Sequence, residues 1–146
     1  RFMRMALEEA RLAAQECEIP VGAVIVRKGE VVARAHNRRE QLHDPTAHAE
    51  ILALREAARV LGDRKLPDCE LYTTLEPCPM CAGAIINARI PRVVYGARDP
   101  KAGSCGSVIN LFELPYNHSP ELCAGVLTEE CAVLLTDFFK KLRDKK

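Results

Sequence analysis

The stretch from residue 70 to residue 96 constrains the fold more than any other part of the chain. Residues 70–74 and 92–96 are short runs rich in β-branched and aromatic side chains, and the apolar run between them, residues 78–87, has helical length. A strand, a helix and a strand in that order predict parallel pairing of the two strands. Earlier in the chain, residues 21–26 and 31–35 are β-branched or small apolar runs separated by Arg27, Lys28, Gly29 and Glu30, which reads as a hairpin. The sheet is therefore expected to be mixed, with residues 122–126 as an edge strand. Amphipathic helices are predicted over residues 2–16, where Met5, Leu7, Leu12 and Ala13 sit among charged residues, and over residues 47–61, where Ile51, Leu54, Ala58 and Leu61 recur. His43, Asp44, Pro45 and Thr46 supply turn and capping residues ahead of the second of these. A last helix over residues 129–142 is expected to turn Cys131, Leu134, Leu135, Phe138 and Leu142 inward. Residues 101–106 read as loop and 107–112 as a short helix.

A chain of 146 residues fits one domain of ordinary size, spanning residues 1–146. Hydrophobic residues at 48% and charged residues at 28% exclude disordered, collagen-like and low-complexity classes. No apolar run approaches the ~20 residues needed to span a bilayer, and residues 1–18 are too charged for a signal peptide. A cytoplasmic protein with no membrane partner is expected. The net charge of +1 does not announce a nucleic-acid partner, but its distribution is uneven. Lys140, Lys141, Arg143, Lys145 and Lys146 against Asp144 give residues 140–146 a charge of +4, which leaves −3 for the rest. Such a tail either solubilises and suits a helix end or meets phosphates. Seven cysteines cannot all pair within one chain, so reduced thiols or metal ligands are expected.

Cys78 and Cys81 lie three apart at the predicted start of a helix, where backbone N–H groups favour thiolates. Such a pair serves either redox chemistry or a soft metal ion, and zinc normally takes three or four protein ligands. Among His36, His43, His48 and His118, only His48 has a carboxylate two positions later, Glu50. A set of His48, Cys78 and Cys81 leaves one position open for water, as in catalytic zinc sites, with Glu50 as its proton acceptor. The alternative is a closed structural zinc with Cys69, Cys105, Cys123 or Cys131 as fourth ligand. Residues two apart on a regular helix point about 200° apart, so His48 and Glu50 share a site only if the helix start is irregular or the ion lies off its end. Cys17, Cys69, Cys123 and Cys131 read most simply as small core residues.

Residues 45–50 (Pro45, Thr46, Ala47, His48, Ala49, Glu50) and 75–84 (Leu75, Glu76, Pro77, Cys78, Pro79, Met80, Cys81, Ala82, Gly83, Ala84) resemble the two halves of the known signature of the zinc nucleoside-deaminase superfamily. Within it the chain is most similar to the bacterial tRNA adenosine deaminases of the TadA type, also through residues 19–26, Asn37, residues 92–101 and residues 130–139. The resemblance implies an α/β fold of the three-layer, cytidine-deaminase-like kind, with a mixed five-stranded sheet flanked by helices. It implies one zinc per chain on His48, Cys78 and Cys81, and Glu50 as the catalytic proton shuttle. The implied reaction converts the wobble adenosine of a tRNA anticodon to inosine, carried out by a cytoplasmic homodimer that binds the anticodon stem-loop. Asn37 and the Ala49 backbone N–H are implied base contacts, and Asp99 and Phe139 contacts to flanking nucleotides. Pro100, Ser104 and Cys105 depart from the family pattern, which bears on those flanking contacts rather than on the zinc. Two rival classes stay open: a deaminase of a small molecule such as cytosine, guanine or a riboflavin precursor, and a non-catalytic zinc-stabilised module. The basic tail speaks against the first and Glu50 against the second.

Overall fold

In the computed structural model, which describes residues 1–144, α1 (Phe2–Gln15) leads into β1 (Gly22–Arg27) and β2 (Glu30–His36). A short α2 (Arg39–Leu42) and a long α3 (Ala49–Leu61) precede β3 (Cys69–Leu75), α4 (Pro79–Asn87) and β4 (Arg92–Ala97). A 3-10 turn (Leu111–Glu113), β5 (Glu121–Ala124) and α5 (Thr128–Asp144) complete the order. The strands form one sheet in the order β2-β1-β3-β4-β5. β1 is antiparallel to β2 and β3, whereas β4 is parallel to β3 and β5, so the sheet is mixed as expected.

Local chemistry explains the hairpin. Arg27 pairs with Glu30, and Lys28 and Gly29 between them both have positive φ (51° and 80°), the conformation of a two-residue turn that matches strand twist. Side chains then alternate across β1. Ala23 and Ile25 face a core shared with α3 and α4, through Ala53, Leu54, Ala57, Ala82 and Ile85. Val24 and Val26 face a second core with Met3, Ala6 and Leu7 of α1 and Cys131 of α5. Helices thus cover both faces of the sheet, giving three layers. α3 ends at Gly62, whose φ of 69° suits the left-handed C-cap position.

Five expectations change. α2 was unmarked by any apolar period; it forms because the buried Glu18 carboxylate accepts the backbone N–H groups of Glu40 (3.2 Å) and Gln41 (2.9 Å). α3 starts at Ala49 rather than at residue 47, because Asp44 Oδ1 accepts the Thr46 N–H (2.8 Å) and hydroxyl (2.7 Å) and prolongs the turn. Leu142 does not turn inward but is exposed, because the packing of α5 is made by Cys131, Leu134 and Leu135 nearer its start. Cys17 is exposed with φ 61° at the end of α1, while Cys69 and Cys131 are buried and Cys123 is half-buried. Residues 107–112 carry only the 3-10 turn at their end, and Lys145 and Lys146 of the basic tail lie outside the described residues.

Among the glycines the tightest approach is at Gly22, where an added Cβ would overlap the Ala6 carbonyl oxygen and crowd the Ala10 nitrogen of α1. Backbone cannot yield there as a side-chain tip can. Gly22→Ala is expected to lower stability by about 1–3 kcal/mol or more, read as a lower urea midpoint at unchanged slope.

Candidate metal centre and active-site cavity

One end of the sheet gathers the functional side chains. β3 and β4 run parallel with Leu75 opposite Ala97, so both finish at the same edge. β2 also finishes there and β1 begins there, since His36 pairs with Gly22 and Ala23 with Thr73. α3 and α4 start at this edge, with His48 and Cys78 as their N-cap residues, both in extended conformation (ψ 151° and 175°). That resolves the spacing problem. His48 precedes the regular helix while Glu50 sits in its first turn, so the two side chains converge on a point off the helix end.

The ligand atoms of His48, Cys78 and Cys81 lie within 4.8 Å of one another. His48 Nδ1 is 3.7 Å from Cys78 Sγ and 3.6 Å from Cys81 Sγ. Zinc bond lengths to thiolate and imidazole in a tetrahedron give an N-to-S edge of about 3.6 Å, so the donor set fits that ion. No fourth Cys, His or carboxylate joins the group among the described residues, which argues against the closed structural site. The positive ends of two helices point at the sulfurs and favour their anionic forms. Cys78 is the acidic member: hydrogen bonds from Cys81 and His48 outweigh burial and bring its thiol down to about 4. The same hydrogen bond, with burial, pushes Cys81 in the opposite direction. His48 is raised chiefly by its hydrogen bond to Cys78. Burial pushes the Glu50 carboxyl up to about 7.

A cavity of about 460 Å³ opens beside this cluster, with His48, Glu50 and Cys78 in its wall and Cys81 fully buried behind. Asn37 lines it and is held there: its Oδ1 accepts the Ala49 N–H at 2.7 Å, and its own N–H donates to the Val21 carbonyl at 3.2 Å. The Ala49 amide and the Asn37 side chain thus orient each other at the cavity wall. Asp99 is in the wall with Pro100, Lys101 and Ala102, but its Oδ1 already accepts the N–H groups of Lys101 (3.0 Å) and Ala102 (3.2 Å). Phe139 reaches the rim of the cavity from α5, 40% exposed, beside the half-buried Leu135; it is not core. Arg39, Arg98 and Lys101 add cationic groups to the cavity lining.

Glu76 was overlooked in the sequence except as part of a motif. It is 1% exposed and accepts the Ser107 hydroxyl and the N–H groups of Asp99, Cys105 and Ser107. Burial alone would raise its carboxyl, but the bonds from Ser107, Asp99 and Cys105 hold it below the usual value. A lone acid in the otherwise uncharged run Thr73 to Pro77 was the available signal.

This fold and donor set define a class, the zinc-binding deaminases: the family model of the cytidine and deoxycytidylate deaminase zinc-binding region matches residues 1–97. The tRNA-specific adenosine deaminase of Bacillus subtilis (strain 168) is 49% identical over 146 residues, covering 99% of this chain and 91% of that protein. The chain belongs to the tRNA-specific adenosine deaminase family. A solved structure from a study of A-to-I editing by tRNA:A34 deaminases at the wobble position superposes with a TM-score of 0.90 at 49% identity, over 92% of this chain and 98% of that one. The guanine deaminase of Bacillus subtilis is more distant, with a TM-score of 0.66 at 36% identity over 98% of this chain and 92% of its own.

The geometry predicts about one zinc per chain in purified protein, and Cys78→Ala is expected to lose that zinc together with much of the thermal stability, since binding is coupled to folding of the site. Metal analysis alongside a melting curve checks both; full zinc content in Cys78→Ala would remove Cys78 from the ligand set.

Proposed function

We infer that this chain is one zinc deaminase domain, residues 1–146, that hydrolyses the wobble adenosine of a tRNA anticodon to inosine and ammonia. The observation that carries the reading is the burial of Glu50 in the wall of the cavity that also exposes His48 and Cys78. His48, Cys78 and Cys81 would hold the zinc, which when bound would supply Lewis-acid activation of a water at neutral pH. Glu50 would take a proton from the attacking water, deliver it to the purine ring nitrogen as C6 is attacked, and pass the second proton to the departing amine. A carboxyl pushed up to about 7 by burial suits both acceptance and return. Asn37, fixed through its oxygen, offers its NH₂ to the flipped base.

RNA rather than a free base is favoured by the cavity rim. Arg39, Arg98 and Lys101 suit phosphates, and the exposed face of Phe139 suits a stacked nucleotide, with Asp99 beside them. Lys140, Lys141 and Arg143, all exposed on the last turns of α5, extend this positive surface. The reading includes pairing of two copies and a cytoplasmic address; no helix among the described residues is long and apolar enough to cross a membrane.

Incubation with an anticodon stem-loop, scored for adenosine-to-inosine conversion, is the direct test. Turnover of free guanine or cytidine with none on RNA would replace this reading with the small-molecule one. Glu50→Gln is expected to keep zinc and fold while turnover drops by about 10²–10⁴, the usual worth of a positioned proton shuttle.

The tail adds a separate expectation. Each phosphate contact it makes steepens the fall of affinity with salt by ~0.7 log units per log unit for a single strand. Removing residues 140–146 is expected to weaken stem-loop binding and flatten its salt dependence with zinc content unchanged. Titrations at several salt concentrations decide this, and identical slopes would make the tail a solubilising one.

A further inference from the structure

We propose that Glu76 is a positioning residue that sets how the cavity reads the nucleotides beside the target adenosine, by holding residues 99–107 in their cavity-lining conformation. The proposal rests on the tRNA reading above. Both carboxylate oxygens are fully engaged. Oε1 accepts the Asp99 N–H (3.1 Å) and the Ser107 hydroxyl, and Oε2 accepts the N–H groups of Cys105 (3.1 Å) and Ser107 (2.9 Å). All these donors come from one irregular segment, which has no strand or helix ladder of its own to satisfy them. Four donors converging on the two oxygens of one buried side chain are satisfied together in only one arrangement, so Glu76 selects one conformation of the segment.

The segment is closed on Glu76 from its other side as well. The Ser104 N–H donates to the Pro77 carbonyl (2.8 Å) and the Gly103 N–H to the Asp99 carbonyl (2.8 Å). At Gly103 an added Cβ would overlap the Glu76 carboxyl and the Asp99 carbonyl, so the glycine is required by the closeness of this contact. Glu76 borders the same cavity, and the loop it anchors supplies the adjoining stretch of wall, Asp99, Pro100, Lys101 and Ala102. None of the zinc ligands nor Glu50 belongs to this segment; they stand at the starts of α3 and α4. Because the donors occupy both oxygens, Glu76 acts through the loop and not on the base. Displacing the loop therefore loosens contacts outside the purine while the chemistry at C6 keeps its machinery.

The test is steady-state kinetics of wild type, Glu76→Gln, Gly103→Ala and Ser107→Ala on anticodon stem-loops that differ only in the nucleotide on either side of the adenosine. Zinc content and melting temperature are measured for each protein. Glu76→Gln and Gly103→Ala, which break one contact from opposite sides, are expected to keep zinc and hold kcat within about threefold. Their KM is expected to rise by about tenfold, the equivalent of one lost charge-assisted hydrogen bond, and the preference among stem-loops to shrink. Ser107→Ala removes one donor outside the cavity wall, and it keeps the proposal testable should Glu76→Gln fail to fold; its KM is expected to rise a few-fold in the same direction. Loss of kcat at unchanged KM and unchanged nucleotide preference would overturn the proposal, as would wild-type kinetics in all three variants or loss of zinc in all three. Wild type inactive on every stem-loop would instead overturn the tRNA reading, and is seen before any variant is compared.

Discussion

Parallel pairing of β3 and β4 is the constraint from which the site follows. Two parallel strands finish at the same edge of a sheet, and the helix between them must begin there, so Cys78 at the start of α4 lies next to the turn after Ala97. The hairpin of β1 and β2, antiparallel to β3, brings Asn37 to that same edge, and the connection after it delivers the start of α3 with His48 and Glu50. A crevice at the carboxyl ends of strands is where open α/β sheets bind ligands. Here two helix N-termini also point into it, which is why two thiols and an imidazole tolerate one another at ligand distances.

Three buried carboxylates divide the work around this crevice, and their environments decide how. Glu50 is surrounded by burial that its hydrogen bonds do not offset, so its carboxyl is pushed up to about 7. Glu76, equally out of contact with water, collects donors from Ser107, Asp99 and Cys105 and stays below the usual value, a fixed anion. Glu18 accepts two backbone N–H groups at the start of α2 and fixes the connection between Asn37 and His48. No buried side-chain nitrogen or oxygen among the described residues lacks a partner. One residue type therefore provides one carboxyl raised by burial and two that anchor backbone, separated by the donors each meets.

The strands and the long helices were legible because burial on one or both faces imposes a period that survives in one sequence: Ala23, Ile25 and Val24, Val26 alternate, and Leu54 and Ala57 follow helical spacing. The His48, Cys78 and Cys81 set was legible because metal binding restricts residue type as well as spacing. Other features left no such trace. α2 depends on Glu18, more than twenty positions earlier, and the outward turn of Leu142 depends on where the packing of α5 ends. The pairing of the Ala49 amide with Asn37 Oδ1 left no trace either, because backbone groups carry no sequence signal.

The sequence by itself determined the order of elements, the mixed character of the sheet and the His48, Cys78 and Cys81 donor set that could hold a metal ion, because each of these follows from local periodicity or from side-chain chemistry. The tertiary structure alone decided that His48 and Glu50 converge, since their helix begins between them, and that Asn37 faces the cavity with its oxygen spent on Ala49. It also decided that residues 99–107 are wall and not free loop, because Glu76 gathers their amides from across the β3–β4 pair. Contacts between residues distant in the chain depend on how the chain turns, and no period or motif records them.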